Sequence, residues 1–156
     1  MRLKEVEKVE GVEGVEGVEG VEGVEGVFLN TGVPHLVVFV PDVSLVDVFA
    51  EGRRLRHDVR FGPAGTNVNF VSVNGNHLTV RTYERGVENE TLACGTGNVA
   101  SAVAAEWLYG RGFSTYTCKA LGGTLKVSFT RGITGSFQDV DLEGPAEKVF
   151  EGTARF

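Results

Sequence analysis

The chain has 156 residues, 42% of them apolar, and a formal net charge of −6, which fits one ordinary domain or one domain with a tail. Residues 1–27 hold eight Glu against three Lys or Arg, so the rest is nearly neutral with no basic face, which excludes nucleic acid as an expected partner. No apolar run approaches the ~18 residues of a membrane span, no signal-peptide segment opens the chain, and two cysteines make no disulfide scaffold, so a cytoplasmic protein with free thiols is expected.

Residues 9–26 are six tandem copies of Val-Glu-Gly. A period of three matches neither the strand repeat of about 2 nor the helix repeat of about 3.6, so no face collects the valines. Without proline between the glycines it is not a collagen repeat either. The expected organisation is a repeat over 1–26, flexible or weakly extended, followed by a folded domain over 27–156.

HLVVFV, 35–40, is an apolar run of strand length between Pro34 and Pro41. SLVDVFAEGRRLRHD, 44–58, suits a short helix with Ser44 or Asp42 as its cap. NVNFVSV, 67–73, alternates Val68 and Phe70 against Asn67, Asn69, Val71 and Val73. Asn74-Gly75 turns it into HLTVRTYERG, with Leu78, Val80 and Thr82 on one face. A helix is predicted from Thr96 to Leu108, stopped by Gly110 or Gly112. FSTYTCK (113–119), TLKVSFT (124–130), SFQDVDLEG (136–144) and AEKVFEGTARF (146–156) read as further strands. Six or seven strands and one long apolar helix predict an α+β domain, a curled and mostly antiparallel sheet wrapped around that helix.

The stretch TLACGTGNVASAVAAEWLYG, 91–110, carries the chemistry. Gly95 and Gly97 follow Cys94, and the first helical turn leaves amide N–H groups without intrahelical partners. Such a turn receives a carboxylate or phosphate, and a thiol at its rim is expected to have a lowered pKa. A buried, inert cysteine is the alternative, and it is the reading given to Cys118 within a strand. Glu84 and Arg85 close a strand ten residues earlier. They suit either a surface ion pair or, across a short loop, the ammonium and carboxylate of a ligand. His35 sits at a strand mouth behind the polar turn LNTGVPH, as a structural hydrogen-bonder or a site residue, whereas His57 and His77 read as structural. Of Asn67 and Asn69, one suits a ligand amide and the other a turn. Scattered histidines without HExxH or paired cysteines give no zinc signature, and P-loop, dinucleotide and GxSxG patterns are missing.

Taken in order, LNTGVPH, GTNVNFV, TYERG and ETLACGTG resemble the C-terminal half of diaminopimelate epimerase, and LEGPAEKVFEG resembles that family's end. The resemblance implies inversion of the α-carbon of LL-diaminopimelate to the meso form without pyridoxal phosphate or metal. Two similar domains then close on the substrate, each contributing one cysteine. It further implies Cys94 as the acid/base, with His35 and Glu84 beside it. Gly95 and Thr96 would hold the α-carboxylate, and Asn67, Glu84 and Arg85 would be substrate ligands. The family's first half, with its Cys-Gly-Asn-Gly motif, has no counterpart here. Val33 stands where many members have Asn, and Asn98 brings a polar side chain into the first helical turn. The expectation is therefore a C-terminal half, inactive alone, whose N-terminal half lies on another chain or is replaced by a homodimer. The alternatives are a non-enzymatic remnant with weak amino-acid affinity, or another racemase of the superfamily, which TYERG disfavours.

Overall fold

A computed structural model describes residues 7–9, 25–92, 95–131 and 137–144. Most of the Val-Glu-Gly repeat, Cys94 and the strand expected at 146–156 lie outside the described residues. The strands are β1 (Glu7–Val9), β2 (Glu25–Asn30), β3 (Pro34–Phe39), β4 (Asn67–Asn74), β5 (His77–Glu84), β6 (Asn89–Thr91), β7 (Thr115–Ala120), β8 (Gly123–Arg131) and β9 (Phe137–Glu143). Two α-helices join them, α1 (Val48–Arg56) and α2 (Gly95–Tyr109). The strands form one sheet in the order β1-β2-β3-β4-β5-β7-β8-β9, with β6 added beside β5. Pairing is antiparallel except between β3 and β4 and between β5 and β7.

The predicted α+β class is what the structure shows: a curled, mostly antiparallel sheet around one long helix. α2 is buried at every residue from Gly97 to Glu106, because β2 to β5 and β7 to β9 all pack on it. Its alanines let strands approach from several sides, and burial all round needs no polar face. Ser101 returns its hydroxyl to the Gly97 carbonyl (2.7 Å), which satisfies that group inside the core. Gly110 follows the helix with φ of 57°, and its N–H donates to the Glu106 carbonyl (2.8 Å), the left-handed stop that glycine allows.

The run HLVVFV is continuous rather than alternating because β3 is covered on both faces. Val37 and Phe39 join the α2 core, while Leu36, Val38 and Val40 join a second core under α1 with Val68, Phe70 and Tyr83. At Gly52 of α1 a Cβ atom would lie 2.6 Å from Tyr83 Cγ, so glycine is what lets this helix sit down on β5. The caps differ from the expected ones: Asp42 accepts from Ser44 N–H and caps a short 3-10 turn, and Asp47 caps α1 through Ala50 N–H (3.1 Å). Val46, in extended backbone, and Asp47, which caps the next helix, split what reads in sequence as a single helical segment.

Strands β1, β2 and β6 are additions to the sequence reading. β2 takes the last repeat copy's Glu25 and Gly26 into the sheet and runs to Asn30. A tight hairpin then returns to Pro34, with Asn30 Oδ1 accepting from Gly32 N–H (2.8 Å) and Gly32 at φ of 108°. In sequence this hairpin reads as a polar turn, because only three residues separate the paired ends.

Candidate active site

Strand register assembles the site. On the face of the sheet turned to α2, β3 presents His35, Val37 and Phe39, β4 presents Asn67, Asn69 and Val71, and β5 presents Leu78, Val80 and Thr82. His35 is in register with Asn67, and Asn69 with Thr82. The apolar members of each strand therefore line up along the body of α2. The polar members collect at one end, where α2 begins.

There the side chains form a buried chain of hydrogen bonds. Thr82 donates its hydroxyl to Asn69 Oδ1 (2.8 Å), Asn69 Nδ2 lies 2.9 Å from His35 Nδ1, and His35 Nε2 lies 3.0 Å from Thr96 Oγ1 in the first turn of α2. His35 and Asn69 are fully buried. Burial, seconded by the Arg85 guanidinium, pushes the His35 pKa down to about 4, so the imidazole is neutral at neutral pH. Thr31 in the hairpin adds a hydroxyl donated to the Thr96 carbonyl (3.4 Å).

A second set of bonds positions the TYERG arm. Asn67 donates to the Pro34 carbonyl (3.0 Å) and accepts the Arg85 N–H on Oδ1 (2.8 Å), so it ties the hairpin mouth to the backbone that carries Arg85. The Glu84 carbonyl accepts from Glu88 N–H (2.8 Å) and closes the turn that follows. Glu84 and Arg85 are both half-buried. The tight ion pairs of this region are instead Arg81 with Glu90 (2.7 Å) and Arg56 with Glu88 (2.9 Å).

Gly95 and Thr96 are the first residues of α2, where amide N–H groups have no helical partners. A Cβ on Gly95 would stand 3.1 Å from Leu142 Cδ2 of β9, a close fit. In sequence Cys94 immediately precedes Gly95. Cys118 is fully buried on β7, and burial raises its thiol pKa to about 12. Asn98 is buried too, and its Nδ2 has no hydrogen-bond partner among the described residues. His57 and His77 lie at the surface, away from this cluster. Among the described residues, no group of three His, Cys, Asp or Glu side chains is placed to hold a metal ion.

Sequence reasoning singled out Cys94, His35, Asn67, Glu84, Arg85, Gly95 and Thr96; the structure joins His35 to Thr96 at the start of α2 and sets Asn67 in register with His35, while Cys94 lies outside the described residues. Asn69 and Thr82 are the members it undervalued. Their signal was the alternation itself, since both fall on the face that elsewhere carries only core residues.

The family model described as diaminopimelate epimerase matches residues 27–142. A diaminopimelate epimerase of Methanocella arvoryzae is 52% identical over 126 residues, covering 80% of this chain and 42% of that protein. One of Flavobacterium psychrophilum is 45% identical over 128 residues, covering 81% of this chain and 50% of its own. A Bacillus anthracis phenazine biosynthesis protein of the PhzF family superposes with a TM-score of 0.50 at 19% identity, covering 78% of this chain and 36% of its own, which shows the fold alone.

The chain spans about half the length of the curated relatives it matches. The expectation of a C-terminal half, inactive alone and completed by another chain or a homodimer, is nevertheless corrected. The match runs through most of this chain, so the family assignment holds for the chain as it stands, and the comparisons give no support for a separate chain carrying a missing half. A family match from residue 27 to residue 142, at such identities, makes this chain a member of the diaminopimelate epimerase family.

Proposed function

We propose that the chain moves the α-proton of diaminopimelate with Cys94 as its acid/base, in a domain formed by residues 27–156 behind the 1–26 repeat. One observation carries the proposal: the His35–Thr96 hydrogen bond joins LNTGVPH to the Gly-Thr-Gly turn at the end of α2, beside Cys94 in sequence. The N-terminal turn of α2 at Gly95 and Thr96 receives the α-carboxylate. Arg85 and Glu84 take the carboxylate and ammonium of the distal end. The Cys94 thiolate takes the α-proton as the C–H bond breaks and an S–H bond forms, and the resulting thiol returns a proton. The developing negative charge is stabilised by the fixed donors around the carboxylate.

Cys94 serves one face of the α-carbon. The chain's other cysteine, Cys118, is too buried and too weakly acidic to serve the opposite face, so the first cysteine of the family's pair has no equivalent among the two thiols here. Two cysteines without a disulfide framework favour a cytoplasmic setting for this chemistry.

The test is thiol alkylation with mass-spectrometric mapping. Cys94 is expected to label first at neutral pH, and LL-diaminopimelate is expected to protect it where lysine, which has no distal carboxylate, does not. Equal labelling with and without diaminopimelate would remove the substrate assignment.

A further inference from the structure

We infer that the cleft between α1 and the loop after β5, on the other side of the sheet from the site above, binds a small oxyanion, a phosphate or a carboxylate, between the Arg53 guanidinium and the Tyr83 hydroxyl. This site does not depend on the diaminopimelate assignment.

The helical repeat builds one wall of the cleft. Phe49, Arg53, Arg56 and His57 follow one another at intervals of four, three and one along α1 and its C-cap, so they share one face. Opposite them stand Tyr83 of β5 and Glu88 of the loop, and the six side chains line a cleft of about 530 Å³. The pleat of β5 separates this cleft from the start of α2. Tyr83 belongs to the core under α1, while its neighbour Thr82 bonds Asn69 on the opposite face.

Most charges around the cleft are already matched. Arg56 Nε lies 2.9 and 3.1 Å from the two Glu88 oxygens, and its Nη1 donates to the Ala64 carbonyl (3.0 Å). Glu88 also accepts the Gly86 N–H (3.1 Å), and Arg54 is paired with Glu51 (2.8 Å). Arg53 is exposed and makes no ion pair among the described residues, so the cleft keeps its positive charge.

Tyr83 supplies the second, independent sign of a ligand. Its side chain is 1% exposed and packs edge-on against Phe49 (6.2 Å between ring centres), yet its hydroxyl has no hydrogen-bond partner among the described residues. A buried phenol ordinarily finds a partner, and the cleft is the space this one opens on. Burial and the Glu88 carboxylate raise its pKa while Arg53 and Arg56 pull the other way. The hydroxyl therefore lies in the field of all three charged residues and is a neutral donor at neutral pH. A guanidinium can only donate, and this hydroxyl has its hydrogen to give, so the matching ligand group is an acceptor with negative charge. An ammonium would meet the unmatched Arg53 charge instead.

The experiment is nitrogen–proton NMR of the full chain, titrated with inorganic phosphate and with acetate against sodium chloride at equal ionic strength. Saturable shifts at the Arg53 Nε–H and at the α1 amides are expected with at least one of the two anions and not with chloride. Phosphate alone would assign a phosphorylated ligand, and acetate alone a carboxylate. Arg53→Gln is expected to weaken binding about tenfold and Tyr83→Phe about fivefold. One change is at an exposed side chain and the other removes a single oxygen, so both variants should fold, which their amide spectra check. Shifts that merely follow ionic strength, as with chloride, would overturn the proposal. So would a loss in Arg53→Gln without one in Tyr83→Phe, which would reduce the site to a surface charge.

Discussion

The side-chain oxygen of Asn67 accepts the backbone N–H of Arg85 at 2.8 Å, while its amide nitrogen holds the Pro34 carbonyl at 3.0 Å. One residue thereby fixes both the strand mouth that carries His35 and the arm that carries Arg85. Asn67→Ala is expected to cost about 1–2 kcal/mol of stability. It is also expected to weaken diaminopimelate binding, because the guanidinium is no longer held on a defined backbone. Calorimetric titration of the two proteins checks this, and an unchanged affinity would show that the arm orders itself without Asn67.

Burial of neutral His35 makes stability depend on pH with a defined sign. Its pKa falls from 6.5 when unfolded to about 4 when folded, so between these values the unfolded chain binds more protons. Stability is fully present above pH 6.5 and is lost as the pH falls toward about 4, by an amount on the order of 3 kcal/mol. Urea denaturation of wild type and His35→Gln across this window is the check. The variant is expected to show a flatter profile, and parallel profiles would mean that His35 is not the group responsible.

Glu106, buried in the last turns of α2, accepts three donors from the chain beyond the helix. These are Gly112 N–H at 3.0 Å, Phe113 N–H at 2.9 Å and the Tyr116 hydroxyl at 2.9 Å. Glu106→Ala strands all three and is expected to cost on the order of 3 kcal/mol. Glu106→Gln keeps one acceptor oxygen and is expected to lose less. Urea midpoints decide it, and a loss below about 1 kcal/mol for the alanine variant would mean that the loop and Tyr116 find other partners.

How far these features were legible follows from the range of the interactions. α2 was legible because its small apolar residues and the glycines at both ends are local signals. The two-sided burial of β3 was legible in the unbroken run HLVVFV. The site was legible only in part. His35 and Thr96 were noticed separately, but their hydrogen bond spans 61 positions and depends on a parallel pairing of β3 with β4 that no local pattern records. Asn69 and Thr82 looked like strand residues because each lies on a correct alternating face, and only the register sets them side by side. Glu106 was invisible for a similar reason, since its partners come from the segment that follows the helix.

The central claim is that Cys94 moves the α-proton of diaminopimelate, and the most direct measurement is exchange of that proton in deuterium oxide. LL-diaminopimelate is incubated with wild-type protein and with Cys94→Ala, and the α-proton signal is followed by NMR. The expected result is wash-out of the signal by wild type, slowed by a factor of about 100 or more in the variant. A signal that persists with wild type, or that disappears equally fast with Cys94→Ala, would contradict the assignment.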